Sequence, residues 1–170
     1  INDILDMSKI EAGKMDLNLA EFNCKEMVKR VSNVRNYSIS QKEQNFSVEM
    51  DDNLPTCLIS DEQRISQVIT NILANAVTFT PPTGDIRLQL RSRQEQDDWY
   101  VIEVLVKDNG IGISEEQQHS LFRAFEQADS GISRKYGGTG LGLAISSNIA
   151  KLLNGDISVQ SETDKGSTFI

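Results

Sequence analysis

Apolar positions change period several times along the chain, and each change marks an element. Residues 1–12 carry Ile1, Ile4, Leu5, Ser8 and Glu11 near heptad spacing, with Gly13 as a stop, which predicts the tail of a helix. Its stripe either faces a partner helix or folds onto its own domain. Residues 15–22 alternate weakly through Leu17 and Leu19, as in a short strand. Asn23 followed by Glu26 resembles a capping box, and the helix it opens runs to about Lys42 with Met27, Val28, Val31 and Val34 on one face. Phe46, Val48 and Met50 alternate as a strand, residues 51–55 form a turn-rich link, and 56–59 a short strand. Ser60 or Asp61 caps the next helix, with Gln63 completing a possible box; Ile65, Val68, Ile69, Ile72, Leu73 and Ala76 form its apolar face, and Pro81-Pro82 stop it.

The second half begins with a strand over 85–91, where Ile86, Leu88 and Leu90 alternate. After a polar connection, a longer strand over 99–107 shows apolar residues on both faces, which predicts a central strand covered on both sides. Seven of the chain's 11 glycines then fall between residues 108 and 142, interrupted by a short helix at about 115–125. Glycine-rich stretches of that length inside a domain are normally functional. A last helix after Gly140 shows Leu141, Ile145, Ile149 and Leu152 on one face and ends at Asn154-Gly155; 157–161 and 167–170 read as closing strands. Helices mixed with hairpin-capable strands predict an α+β domain, one mixed sheet with helices on one face.

Composition narrows the function classes. The 170 residues carry a net charge of −8, which argues against nonspecific nucleic-acid binding. No apolar run approaches a membrane span. Cys24 and Cys57 lack metal-type spacing and read as small core or half-buried residues; His119 is the single histidine and cannot make a multi-histidine metal site. The chain begins with Ile1 rather than Met, so a longer protein is expected.

Three segments carry candidate chemistry. On the helix over 61–80, Asn71, Asn75 and Thr78 share one stripe beside the apolar face, and Arg64 and Gln67 extend it. Amides one turn apart can offer oxygens to a hard cation such as Mg²⁺ or hydrogen bonds to phosphate, or they can simply be the helix's polar flank. Asp108-Asn109-Gly110-Ile111-Gly112 follows an apolar strand; Asp108 could accept from an exocyclic amine, or the segment could be an ordinary Asp-Asn-Gly turn. Gly137-Gly138-Thr139-Gly140-Leu141-Gly142-Leu143 opens a helix, where bare backbone N–H groups suit phosphate. It is not the Walker pattern, since no Lys-Ser/Thr follows the glycines, and no parallel strand leads into it as the dinucleotide pattern requires. Together the three make a nucleotide pocket with Mg²⁺. The segment between the glycine motifs would be a lid, pinned by Phe122 and Phe125.

These residues resemble sensor histidine kinases. Asn71-Ile-Leu-Ala-Asn75-Ala, Asp108-Asn-Gly-Ile-Gly112, Leu121-Phe-Arg-Ala-Phe125-Glu-Gln and Gly137-Gly-Thr-Gly-Leu-Gly-Leu143 are similar to that family's N, first glycine, F and second glycine boxes, in order. Gly166-Ser-Thr-Phe169 resembles the closing glycine motif, and Leu5-Asp-Met-Ser-Lys-Ile-Glu-Ala-Gly13 the end of the second dimerisation helix; the lid wording is most like hybrid kinases. The resemblance implies a Bergerat-type α/β sandwich with a mostly antiparallel mixed sheet and a flexible ATP lid at about 113–137. Residues 1–14 would close a dimerisation helix and 15–170 would form the ATP-binding catalytic domain.

The resemblance also implies site roles. Asp108 would bind the adenine amino group, with Gly110 and Gly112 letting the ring approach. Asn75 would hold Mg²⁺, with Asn71 beside it as a second catalytic amide. Gly138, Gly140 and Leu141 would line the phosphates through backbone amides, and Ile113, Phe122, Phe125, Thr139 and Gly142 complete the expected pocket. The family usually has Lys where Thr78 stands, so Thr78 would offer phosphate a hydrogen bond without charge. The implied activity is transfer of the ATP γ-phosphate to a histidine on a dimerisation domain, then relay to a response-regulator receiver domain. The full-length protein would be a homodimer and cytoplasmic, with any membrane anchor in other segments. His119 lies outside any acceptor motif, so the acceptor would be elsewhere. Related ATPases place Glu where Asn71 stands, as general base for water; a degenerate module without transfer is the other alternative.

Overall fold

The computed structural model describes residues 2–97, 99–123 and 140–170. In chain order the elements are α1 (Asn2–Glu11), β1 (Ala20–Asn23), α2 (Cys24–Gln41), β2 (Asn45–Met50), β3 (Cys57–Ser60) and α3 (Glu62–Phe79). There follow β4 (Asp85–Gln94), β5 (Tyr100–Asp108), α4 (Glu115–Gln118), α5 (Gly142–Leu152), β6 (Val159–Glu162) and β7 (Gly166–Phe169). Five strands make one sheet in the order β2-β4-β5-β7-β6, while β1 and β3 form a separate antiparallel ribbon. Only β2–β4 is parallel in the large sheet, so the sheet is mixed and mostly antiparallel, as expected. The parallel pair requires a crossover, which β3 and α3 supply.

Helices cover one face. Ile86, Leu88 and Leu90 of β4, Val106 of β5 and Phe169 of β7 meet Met27, Val28 and Val31 of α2 and Ile69, Ile72, Leu73, Ala76 and Val77 of α3 in the main core. A second cluster joins Met7 and Ile10 of α1 to Met15, Leu141, Ile145 and Ile149, and Val68 touches both cores. The open face of the sheet is charged, with Arg87 paired to Glu49 and Arg91 to Glu103. That corrects the expectation for β5. Val101 is exposed and Leu105 half-buried, so the strand is central but covered on one side.

Several local expectations hold and several shift. Asn23 caps α2 by accepting from the Glu26 N–H, and Asp61 caps α3 by accepting from Arg64 N–H. With Asp61 as the cap, Gln63 completes no box. Gly13 ends α1 at φ +61, and Asn154 takes φ +59 after α5, both in the left-handed region. The early strand shrinks to residues 20–23, and β4 runs on to Gln94. Val34 is 63% exposed because the buried face of α2 drifts with the 3.6-residue turn toward Ile39. Leu152 and Cys57 are also exposed, whereas Cys24 is buried. α4 is one turn rather than a helix to Phe125; Phe125 itself, like the rest of the expected lid beyond Arg123, lies outside the described residues. Ile4 and Leu5 of the α1 stripe are exposed, while Met7 and Ile10 pack on α5.

Candidate functional site

α3 is amphipathic because its apolar residues recur at helical spacing, and this turns the polar stripe toward α5 and the end of β5. The Asn71 amide donates to Gly142 O and to Ser146 Oγ, each at 3.3 Å, which ties the middle of α3 to the start of α5. One turn on, Asn75 is half-buried, and its amide has no hydrogen-bond partner among the described residues. The Thr78 hydroxyl donates back to Ala74 O at 2.7 Å, within its own helix. Arg64 and Gln67 turn away from this stripe. Both bond Asp6 Oδ2 of α1, at 3.1 and 2.8 Å, and latch the first helix to α3.

Asp108 ends β5 on the same row as Val106, which carries its carboxylate under the helix layer. It is buried, and Oδ1 accepts the Gly110 N–H at 2.8 Å. Burial pushes its carboxyl above the ordinary aspartate range, and the N–H groups of Gly110 and Ser167 partly oppose that. The turn after it touches α3 directly, because Ile111 N donates to Phe79 O at 3.4 Å. Phe79 lies four residues beyond Asn75, about 6 Å along the axis. The acceptor at Asp108 and the amide at Asn75 are thus held by one continuous frame.

The glycines have different reasons for being there. A Cβ at Gly110 would come within 2.6 Å of Phe79 O, so this glycine permits the turn to reach α3. Gly112 has φ +68, and a Cβ there would lie 2.7 Å from the Glu162 carbonyl carbon on β6. Gly142 has room, with Asn71 Cγ at 3.7 Å. Gly140 takes φ +68 just before α5, and the N-cap residue of α5, Leu141, offers no side-chain hydrogen bond to its first N–H groups. Leu141 is 1% exposed and packs into the second core, so its side chain anchors the helix start. Ile113 packs on the main core; its N–H donates to Ser161 Oγ and its carbonyl accepts from Gln118 Nε2. Its backbone is therefore taken by the protein. Phe122 packs on the main core as expected. Gly138 and Thr139 lie outside the described residues.

Sequence reasoning missed the side chains that hold this frame. Gln118 donates to the carbonyls of Ile113 and Ser161, fastening the root of the expected lid to β6. Lys42 and Gln44 grip the C-terminus of α3. One signal was readable: Pro81 and Pro82 have no amide hydrogens with which to close α3, so its last carbonyls need donors from elsewhere.

Among the described residues no cluster of three His, Cys, Asp or Glu could hold a metal ion. A Mg²⁺ carried on phosphates needs little more than one or two protein oxygens, and the Asn75 amide, which has no hydrogen-bond partner among the described residues, fits that requirement. No described helix is long and apolar enough to cross a membrane.

The profile of the family described as histidine kinase-, DNA gyrase B- and HSP90-like ATPase matches residues 60–170. Over 169 residues the chain is 41% identical to hybrid signal transduction histidine kinase B of Dictyostelium discoideum, covering 99% of this chain but 8% of that protein. Among solved structures, full-length ShkA in complex with AMPPNP superposes with a TM-score of 0.83 at 28% identity, covering 99% of this chain and 33% of that one. The nucleotide-free catalytic domain of the histidine kinase ThkA superposes at 0.72 and 27% identity, covering 89% of this chain and 92% of that domain.

Proposed function

Because the chain belongs to the family of histidine kinase-, DNA gyrase B- and HSP90-like ATPases, and matches histidine kinase catalytic domains across nearly its whole length, we propose that it binds Mg²⁺-ATP and presents the γ-phosphate to a histidine of a dimerisation domain. One observation carries the site assignment. On α3, Asn75 lies between Asn71, which bonds Gly142 O at the start of α5, and Phe79, whose carbonyl accepts the Ile111 N–H of the turn after the buried Asp108. Asp108 accepts the adenine amino group. The N–H groups entering α5 face phosphate, aided by the positive end of the helix dipole. Asn75 would hold a Mg²⁺ through its carbonyl oxygen, and that ion, when bound, would neutralise negative charge on the transferring group.

The reaction asks little covalent chemistry of these residues. The γ-phosphorus exchanges its bond to the β-phosphate oxygen for one to an imidazole nitrogen, ADP leaves, and the chain's task is positioning and charge. Asn71 favours transfer over hydrolysis, because an amide cannot take a proton from water at neutral pH as a carboxylate can. His119 is exposed at the end of α4 and is not the acceptor in this reading. The phosphorylated histidine would pass its group to a receiver-domain aspartate, within a homodimer and in the cytoplasm, where ATP is supplied.

The Thr78 hydroxyl, bound to Ala74 O, supports a second reading: a module that binds nucleotide without transfer. Calorimetric titration with AMPPNP, with and without Mg²⁺, tests binding first. Stronger binding with Mg²⁺ in the wild type and no Mg²⁺ gain in Asn75→Ala is expected. No binding at millimolar AMPPNP overturns both readings. Transfer of ³²P from γ-labelled ATP to a histidine-bearing dimerisation domain supplied in trans then separates them.

A further inference from the structure

The C-terminal turn of α3 leaves four carbonyls to satisfy, and each finds a donor. Ala76 O accepts Thr80 N at 3.0 Å, the sole bond supplied by the helix's own continuation. Val77 O accepts Lys42 Nζ at 2.7 Å and Gln44 Nε2 at 3.1 Å. Thr78 O accepts Lys42 Nζ at 2.9 Å, and Phe79 O accepts Ile111 N. Gln44, itself buried, reaches on to Thr80 O at 2.8 Å. The backbone reinforces the grip, since Thr83 N donates to Lys42 O and Asn45 N to Gly84 O.

The ammonium therefore sits where the helix dipole is negative, and a charged donor is stronger there than a neutral one. The same turn carries the Asn75–Thr78 stripe on one side and meets the Gly110 turn on the other. We propose that Lys42 is a positioning residue for the nucleotide. From the α2–β2 turn it fixes the last turn of α3, and so sets Asn75 relative to Asp108, without touching the ligand. This rests on the nucleotide reading above.

The test uses the 170-residue chain and four proteins: wild type, Lys42→Met, Lys42→Arg and Val31→Ala, the last a core change elsewhere on α2. AMPPNP affinity is read by calorimetry, stability by melting, and the Asn75 and Gly110 amide signals by ¹H–¹⁵N spectra. Lys42→Met should bind AMPPNP about tenfold more weakly, since small misplacements of a site are costly, and should shift both signals. Lys42→Arg should recover most of the affinity. Val31→Ala should melt lower yet bind as wild type. Lys42→Gln replaces Met if Met does not fold. Wild-type affinity in a folded Lys42→Met or Lys42→Gln overturns the proposal, as does a loss no greater than that of Val31→Ala. A wild-type chain that binds no AMPPNP overturns the nucleotide reading, and this proposal with it.

Discussion

Gly112 and Gly142 both belong to glycine motifs, yet the structure gives them opposite tolerances. At Gly112 an alanine would have to hold φ +68, which costs about 1–2 kcal/mol for an L-residue. Its Cβ would also overlap the Glu162 carbonyl, forcing β6 or the turn to shift, a strain of about 1–3 kcal/mol. The sum, about 2–5 kcal/mol, corresponds to a fall in melting temperature of roughly 4–20 °C for a domain of this size. At Gly142 the added methyl meets Asn71 Cγ at an ordinary 3.7 Å, and alanine suits a helix better by up to about 1 kcal/mol. Thermal melting with parallel AMPPNP titration reads both variants. Gly112→Ala should lose stability first, and Gly142→Ala should keep it, so any affinity lost by Gly142→Ala belongs to the ligand. A Gly112→Ala protein melting within 2 °C of wild type would refute the packing argument, by the same scaling. So would a Gly142→Ala protein that melts well below it.

Other outcomes follow from the same geometry. Burial raises the Asp108 pKa above its unfolded value near 4, so its contribution to stability is present below that value and lost as pH rises through the folded one. Asp108→Asn should therefore melt above wild type at neutral pH, by a margin that shrinks on acidification, while losing nucleotide; melting below wild type at pH 7 would show that the two N–H donors outweigh burial. Asp6→Ala removes the acceptor shared by Arg64 and Gln67 and should cost about 1–3 kcal/mol, with faster tryptic cleavage after Lys9 and Lys14. Unchanged melting and cleavage would mean that Met7 and Ile10 hold α1 unaided. Gln118→Ala should leave the melting temperature within a few degrees but speed proteolysis at Arg123, because Gln118 fastens this segment to β6.

What was legible in the chain follows a physical boundary. The α3 face, the alternation of Ile86, Leu88 and Leu90 and the caps at Asn23 and Asp61 are local patterns, and they persist in the fold. The Asn71–Asn75 stripe is local too. The parallel β2–β4 pairing and the β1–β3 ribbon are not, because strand partners distant in sequence leave no periodic trace. Val34 and Leu152 show the limit of periodicity itself, since each sits at the edge of a face that rotates away over successive turns. The grip of Lys42 on α3 joins residues 35 and 36 apart, and that of Asp6 on Gln67 residues 61 apart. Neither is visible without the fold. Val101 and Leu105 misled for another reason: apolar residues on both faces of β5 suggested a second layer, whereas the charged neighbours on β4 keep that face in water.

The central claim is that the buried carboxylate of Asp108 reads an exocyclic amine at the base end of the pocket. Titrating the wild-type chain with ATP and with inosine triphosphate, which carries a carbonyl oxygen in place of that amine, tests it most directly. A charged hydrogen bond is worth about 1.5–3 kcal/mol, so inosine triphosphate should bind about 10- to 150-fold more weakly. Equal affinity for the two nucleotides would contradict the account.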